Sequence, residues 1–167
     1  MREFIVSMRV YYEDTDSAGV VYHANYLKFM ERARTEWLRS LGIEQDELAR
    51  DEGVIFAVRS IALDYFKPAR FNDLLQISVM ITRIGGASIS LSQSITKTHA
   101  EANTISETQQ SAGTQRESSA EAAAQVTRQQ TTAKNVLCSG KVKVACLAAG
   151  SLRPKPIPGK INREIFL

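Results

Sequence analysis

From Tyr26 onward the apolar positions recur every three or four residues: Tyr26, Met30, Ala33, Trp37 and Leu41, with Leu27, Phe29 and Leu38 widening the stripe. That period belongs to an amphipathic helix of about four turns, apolar over about half its girth. His23 or Asn25 stands where a cap belongs, and Gly42 followed by Ile43 has the form of a helix stop with a hydrophobic latch. Elsewhere the period is two. Leu75, Ile77, Val79 and Ile81 alternate with Gln76, Ser78, Met80 and Thr82, and Ile89, Leu91 and Ile95 oppose Ser88, Ser90, Ser92 and Ser94. Each run predicts a strand with one apolar and one polar face. The predicted order is a strand over residues 4–12, the helix, a polar link, and four strands in antiparallel succession. Those four are Val54–Tyr65, Leu74–Ile84, 87–97 across a Gly85-Gly86 turn, and 136 to about 149. "RPKPIP" then closes the domain with prolines that extend no strand. An apolar sheet face and a helix with a wide apolar stripe satisfy each other when the sheet curls around the helix, so one α+β domain over 1–167 is expected.

The segment 98–135 breaks both periods. Ala, Thr, Gln and Ser dominate it, and Ile105 and Val126 are its only larger aliphatics. Such a composition buries too little apolar surface to offset its ordering entropy, which predicts a solvated low-complexity insertion at a hairpin tip. Ser118 and Glu121 keep a capping-box spacing, so a marginal exposed helix is the alternative.

Composition narrows the function classes. At 167 residues, 44% hydrophobic and 23% charged, the chain suits one globular domain. A net charge of +3 without a basic stripe interleaved with aromatics argues against nucleic acid and suits a phosphate-bearing small molecule. No apolar h-region with a small-residue cleavage site opens the sequence, and no run approaches the roughly 18 apolar residues of a membrane span; a cytoplasmic protein is expected. Cys138 and Cys146, on one predicted strand, stand about 26 Å apart at the usual rise and cannot bridge within a chain. With His23 and His99 the only imidazoles, a protein-only metal site is not expected.

The stretch "YYEDTDSAGVVYHANY", residues 11–26, crowds polar groups at the predicted helix mouth. A helix start offers backbone N–H groups without intrahelical partners and a partial positive charge, which suits a carbonyl oxygen that becomes negative during reaction. Gly19 lets the chain turn sharply or lets a substrate approach the backbone. Asp16, just upstream, is placed to act on the carbon of that carbonyl, with Tyr12 and His23 orienting the group, the water or the leaving atom. Aspartate plus amide donors makes an acyl-transfer site without serine, cysteine or metal. A lone aspartate before a helix is more often an N-cap or Asx-turn residue, and the neighbouring Glu13 and Asp14 are expected to be exposed turn residues.

Over "YYEDTDSAGVVYHANYLKFMERARTEWLRSLG" the sequence resembles the hotdog-fold acyl-CoA thioesterases of the 4-hydroxybenzoyl-CoA thioesterase class, and among them the small bacterial enzymes associated with the Tol-Pal cell-envelope system. "IALDYFKPARFNDLLQISV" and "KVKVACLAAGSLRPKPIP" continue the likeness, which covers nearly everything outside 98–135. The resemblance implies a hotdog fold, a curved antiparallel five-stranded sheet wrapped around one long helix. It implies hydrolysis of acyl-CoA thioesters, short-chain ones first, with no cofactor. Asp16 becomes the catalytic carboxylate, with the side chains of Tyr12 and His23 accessory to it. Gly19, Tyr22 and His23 form the turn, and the His23 N–H polarises the thioester carbonyl. Such enzymes pair sheet edge to sheet edge as homodimers, with the pantetheine arm between the subunits, and two dimers commonly form a tetramer. Relatives in the aromatic-CoA branch carry a basic cluster after the third strand, where this chain has "IGGAS" with Arg83 the nearest cation. The substrate-binding candidates are therefore spread over Tyr65, Lys67, Arg70, Arg83, Ser88 and Arg153, with Lys155 and Phe66 beside them. Acyl carrier protein is the alternative carrier. The rival functions are a non-catalytic binding protein of the Tol-Pal machinery and a hotdog dehydratase.

Overall fold

The computed structural model describes residues 3–98 and 135–166, so the segment 99–134, which holds nearly all of the expected insertion, lies outside the described residues. Five strands form one antiparallel sheet: β1 (Phe4–Arg9), β2 (Val54–Tyr65), β3 (Leu74–Ile84), β4 (Ser88–Lys97) and β5 (Val136–Ala148). Helix α1 (Asn25–Ser40) packs on the concave face, α2 (Gln45–Asp51) follows it, and α3 (Gly159–Phe166) ends the described chain.

The period-two runs behave as their pattern requires. Leu75, Ile77, Val79 and Ile81 of β3, with Ile89, Leu91 and Ile95 of β4, are buried against Phe29, Met30 and Ala33 of α1. The opposite face carries the serines, with Ser78 Oγ and Ser94 Oγ 2.9 Å apart across the β3–β4 ladder. The Gly42 stop holds as well: its φ of 70° lets the Ile43 N–H reach back to Leu38 C=O at 3.1 Å, and Ile43 is buried.

Four features differ from the sequence expectation. Of the four strands after the helix, β3, β4 and β5 are antiparallel neighbours in succession but β2 is not: the sheet order is β1-β3-β4-β5-β2, and β2 pairs with β5 at the far edge. Alternation assigns faces and leaves the choice of edge open. The polar link contains α2, whose single buried side chain, Leu48, is too little for a periodic signal. The prolines of "RPKPIP" do not end the fold: Ile157 and Ile161 are buried, and α3 begins just after Pro158. The first strand stops at Arg9, since Tyr12–Asp14 forms a 3-10 turn.

At Gly140, β5 passes beneath the Met30 side chain of α1. Gly140 sits opposite Leu63 on β2 and Gln93 on β4, and a Cβ there would fall 2.5 Å from Leu63 Cδ2 and 3.3 Å from Met30 Sδ. Gly140→Ala is expected to cost about 1–3 kcal/mol through overpacking, read as a lowered urea midpoint with an unchanged slope.

Candidate active site

The loop between β1 and α1 is built from the backbone outward. Asp14 is its anchor. Its Oδ2 accepts the Tyr11 N–H at 2.8 Å, while its C=O accepts the Tyr22 N–H at 3.0 Å and the Asn25 Nδ2–H at 2.9 Å. Asp14 is 4% exposed, which corrects the expectation of an exposed turn residue. The loop folds over it and uses both its side chain and its carbonyl, so solvent has no access. Asn25 is corrected too. Ala24 occupies the N-cap with no side-chain hydrogen bond, and Asn25, the first helical residue, turns inward to Asp14.

Beyond Asp14 the chain makes a small hairpin, with Thr15 bridged to Val21. The Asp16 N–H donates to Val20 C=O at 2.9 Å, and the Gly19 N–H returns to Asp16 C=O at 2.9 Å. Gly19 takes φ 72°, the left-handed region that glycine enters without a Cβ penalty. Asp16 Oδ1 accepts the Ala18 N–H at 2.8 Å, an Asx turn, so Asp16 has the ordinary structural role for an aspartate here. The side chain is nevertheless exposed, and among the described residues Oδ2 has no hydrogen-bond or ion-pair partner. One oxygen thus fixes the orientation of the carboxylate.

The β2–β3 connection holds the hairpin in place. The Val21 N–H donates to Ala69 C=O at 2.9 Å, and Val20 bridges Arg70. Asp73, paired to Lys97 at 2.7 Å, accepts the Arg70 N–H at 2.9 Å. At the helix mouth the Tyr65 hydroxyl donates to His23 C=O at 3.0 Å and its ring meets Tyr26 edge-on at 5.5 Å. The exposed His23 ring lies 4.4 Å from that of Tyr22, and the His23 N–H has no acceptor among the described residues. Tyr12 is exposed and meets Phe71 edge-on at 5.9 Å. Burial raises the phenol pKa of Tyr26, and of Tyr65 less deeply set, so both stay neutral hydrogen-bonding groups at pH 7.

One end of the sheet thus gathers Tyr12, Asp16, Gly19, Tyr22, His23, Tyr65, Lys67 and Arg70. Arg83, Ser88 and Arg153 lie at the other end. Arg83 pairs with Ser90 near the end of β3, the Gly85 N–H donates to Ser88 C=O, and Arg153 C=O accepts the Ala148 N–H past β5. The length of β3 separates the two groups by roughly 30 Å. Within one chain they do not form a single site.

Cys138 is wholly buried, and burial pushes its thiol up to about 11, so it stays protonated at neutral pH. Native protein at pH 8 is expected to leave Cys138 unmodified by a disulfide-exchange reagent until denaturant is added. Among the described residues no three His, Cys, Asp or Glu side chains come together as a metal site.

A polar pair that sequence reading passed over sits on the apolar face. Arg34 Nη1 donates to Gln93 Oε1 at 2.8 Å, and Gln93 Nε2 donates to Met30 C=O at 3.1 Å. The signal was present in β4, where Gln93 breaks the run Ile89, Leu91, Ile95.

One sheet curled around one central helix is the hotdog architecture. Residues 18–101 match the thioesterase superfamily. The acyl-CoA thioesterase YbgC of Haemophilus influenzae is 34% identical over 159 residues, covering 95% of this chain and 91% of that protein. A probable thioesterase from Bartonella henselae superposes with a TM-score of 0.69 at 30% identity, over 94% of this chain and all of the other. A 4-hydroxybenzoyl-CoA thioesterase solved with 4-hydroxybenzoyl CoA superposes with a TM-score of 0.74 at 14% identity, covering 98% of this chain and 99% of that one, a likeness of fold. The chain belongs to the thioesterase superfamily, and it is a thioester hydrolase. No helix among the described residues is long and apolar enough to cross a membrane.

Proposed function

We propose that the protein hydrolyses acyl-CoA thioesters to free acid and CoA, with Asp16 as the catalytic carboxylate. The observation that carries this reading is the Asx turn, which orients the exposed Asp16 through one oxygen and leaves the other without a partner, in the same loop as the unpartnered His23 N–H. The thioester carbonyl oxygen sits on that N–H at the mouth of α1, where the helix start favours developing negative charge. Asp16 then either attacks the carbonyl carbon, giving a mixed anhydride and CoA thiolate, or takes a proton from the water that attacks. Tyr65 acts one peptide further on, by holding the His23 C=O at the start of α1. Tyr12 and the His23 ring are accessory, and Gly19 and Tyr22 shape the turn. The named activity of the Haemophilus influenzae relative supports CoA as the carrier. Short acyl groups, a cytoplasmic setting and association with the Tol-Pal system complete the reading.

The working unit in this reading is a homodimer, with a tetramer as a further step. β2 is an edge strand, and its Val58, Ile61 and Tyr65 are 48%, 37% and 47% exposed. Two β2 strands paired antiparallel about their midpoints bring each Asp16 loop beside the far end of the other sheet. That arrangement unites Asp16 with Arg83, Ser88 and Arg153 of the second copy for the nucleotide phosphates, which a single chain keeps apart. Lys67 and Arg70 flank the mouth on the Asp16 side.

Thiol release from a panel of short, long, branched and aromatic acyl-CoAs tests the function. Free acid and CoA in equal amounts are expected. An enoyl thioester product in place of thiol, or no turnover with CoA and acyl carrier protein substrates alike, overturns it.

A further inference from the structure

Two β-bulges fall in one row of the sheet. On β2 the register with β5 slips between Val58 and Ser60, so Arg59 and Ser60 share the place opposite Lys143. On β3 the register with β4 slips between Ile81 and Arg83, so Thr82 and Arg83 share the place opposite Ser90, which is paired in turn with Lys143. Val58 and Ile61 line a groove with α1, and Ile81 and Leu91 are buried, so the residues of this row face the convex side. From β3 to β2 the row carries Arg83, Ser90, Lys143 and Arg59 over about 14 Å at the usual strand spacing. Lys141, two residues along β5 and opposite Ser92 and Ala62, adds a fourth cation.

Arg59, Arg83 and Lys141 are exposed, Lys143 is half-buried, and none of them has an ion-pair partner among the described residues. Asp64 is the only acid in β2, β3, β4 and β5, and it lies opposite Ser139 toward the Tyr65 end. Like charges directly opposite, as Arg59 and Lys143 are, destabilise a ladder by themselves. Two bulges that turn arginines into such a row fit an anionic surface lying across it.

Between the cations the side chains are short: Ser60, Ala62, Thr82, Ser90 and Ser92. Met80, opposite Ser92, is 40% exposed. A protein partner is gripped by large anchors in pockets, and a duplex is read by a helix or ribbon set into its groove. A convex face of short side chains supplies neither. A fluid bilayer needs no complementary shape, only positive charge near its anionic headgroups, and the serine and threonine hydroxyls donate to phosphate oxygens as the cations do.

We propose that this convex face docks on a bilayer surface rich in anionic phospholipid, with Arg59, Arg83, Lys141 and Lys143 against its phosphates. In the β2-paired dimer proposed above, Arg59 and Ser60 lie at the centre of the strand pair, so the rows of the two copies join into one band.

The test is co-sedimentation of the full chain with vesicles of phosphatidylcholine alone and of phosphatidylcholine mixed with phosphatidylglycerol. Wild-type protein is expected to pellet with the anionic vesicles at about 0.1 M salt, to stay in solution with the neutral ones, and to be released at about 1 M salt. Lys141→Gln combined with Lys143→Gln is expected to weaken vesicle affinity by about tenfold to thirtyfold, the effect of losing two cations near the surface, whereas Lys141→Arg with Lys143→Arg keeps it. Arg83 stays in place in both variants, because it also serves the nucleotide phosphates in the acyl-CoA reading. Thermal unfolding of the same samples checks that the variants are folded. The readout needs no substrate and stands apart from hydrolysis. Equal pelleting with both vesicles, pelleting with neither, or a glutamine variant that binds as the wild type does overturns the proposal. Retention on heparin without vesicle binding assigns the row to a soluble polyanion and overturns it as well.

Discussion

Asp16→Asn is expected to lower kcat for acyl-CoA hydrolysis by about two to four orders of magnitude, with little change in thermal stability. The substitution is close to silent structurally. Asparagine keeps the side-chain oxygen that accepts the Ala18 N–H, so the Asx turn and the hairpin from Thr15 to Val21 persist. What disappears is the negative charge on the unpartnered oxygen, the proposed nucleophile or base. Single-turnover hydrolysis in oxygen-18 water then distinguishes the routes. Label in the Asp16 carboxylate marks an anhydride opened at the aspartyl carbon; label in the product acid alone fits the general base or an anhydride opened at the acyl carbon, which trapping the acyl-enzyme with hydroxylamine separates. Activity within about threefold of the wild type would remove Asp16 from the chemistry and leave it as a turn residue.

The second large effect is expected at the outer edge of β2. Val58→Glu combined with Ile61→Glu places like charges face to face wherever two copies meet along this strand, a juxtaposition that costs several kcal/mol. Sedimentation is expected to show a monomer for the variant and a dimer for the wild type, and thiol release is expected to fall by about a hundredfold or more at micromolar protein. Both substituted side chains lie on an exposed edge, so the monomer itself keeps its sheet. A monomeric variant with full activity would mean that each chain carries a complete site.

The sequence was informative where one physical constraint acted locally. The stripe from Tyr26 to Leu41 specified α1, and alternation specified β3 and β4, within windows of at most about sixteen residues, and the crowding at 11–26 pointed to the loop proposed as the site. Information that depended on distant partners was hidden. Glu13 and Asp14 are adjacent acids in a turn, and only the fold makes one of them an anchor holding Tyr11, Tyr22 and Asn25. The position of β2 beside β5 has no local signature at all, and it is this placement that leaves Val58 and Ile61 exposed. Gln93 lies between these cases. Its break in the alternation was visible, whereas its partners Arg34 and Met30 come from a helix some 60 residues earlier.

The order of strands also sets a timetable for synthesis. β1, α1, β3 and β4 are contiguous in the sheet and its core, so they can assemble as soon as β4 leaves the ribosome. β2 emerges before two of them yet pairs only with β5, Val54 opposite Ala148 and Tyr65 opposite Cys138. Throughout the intervening translation this twelve-residue strand has neither edge paired, with apolar side chains along it. Non-local pairing of this kind is slow to close and exposed to aggregation while it waits. A nascent chain halted before β5 therefore presents one long, sticky, unpaired strand, and that stretch is where a ribosome-associated chaperone has most reason to bind.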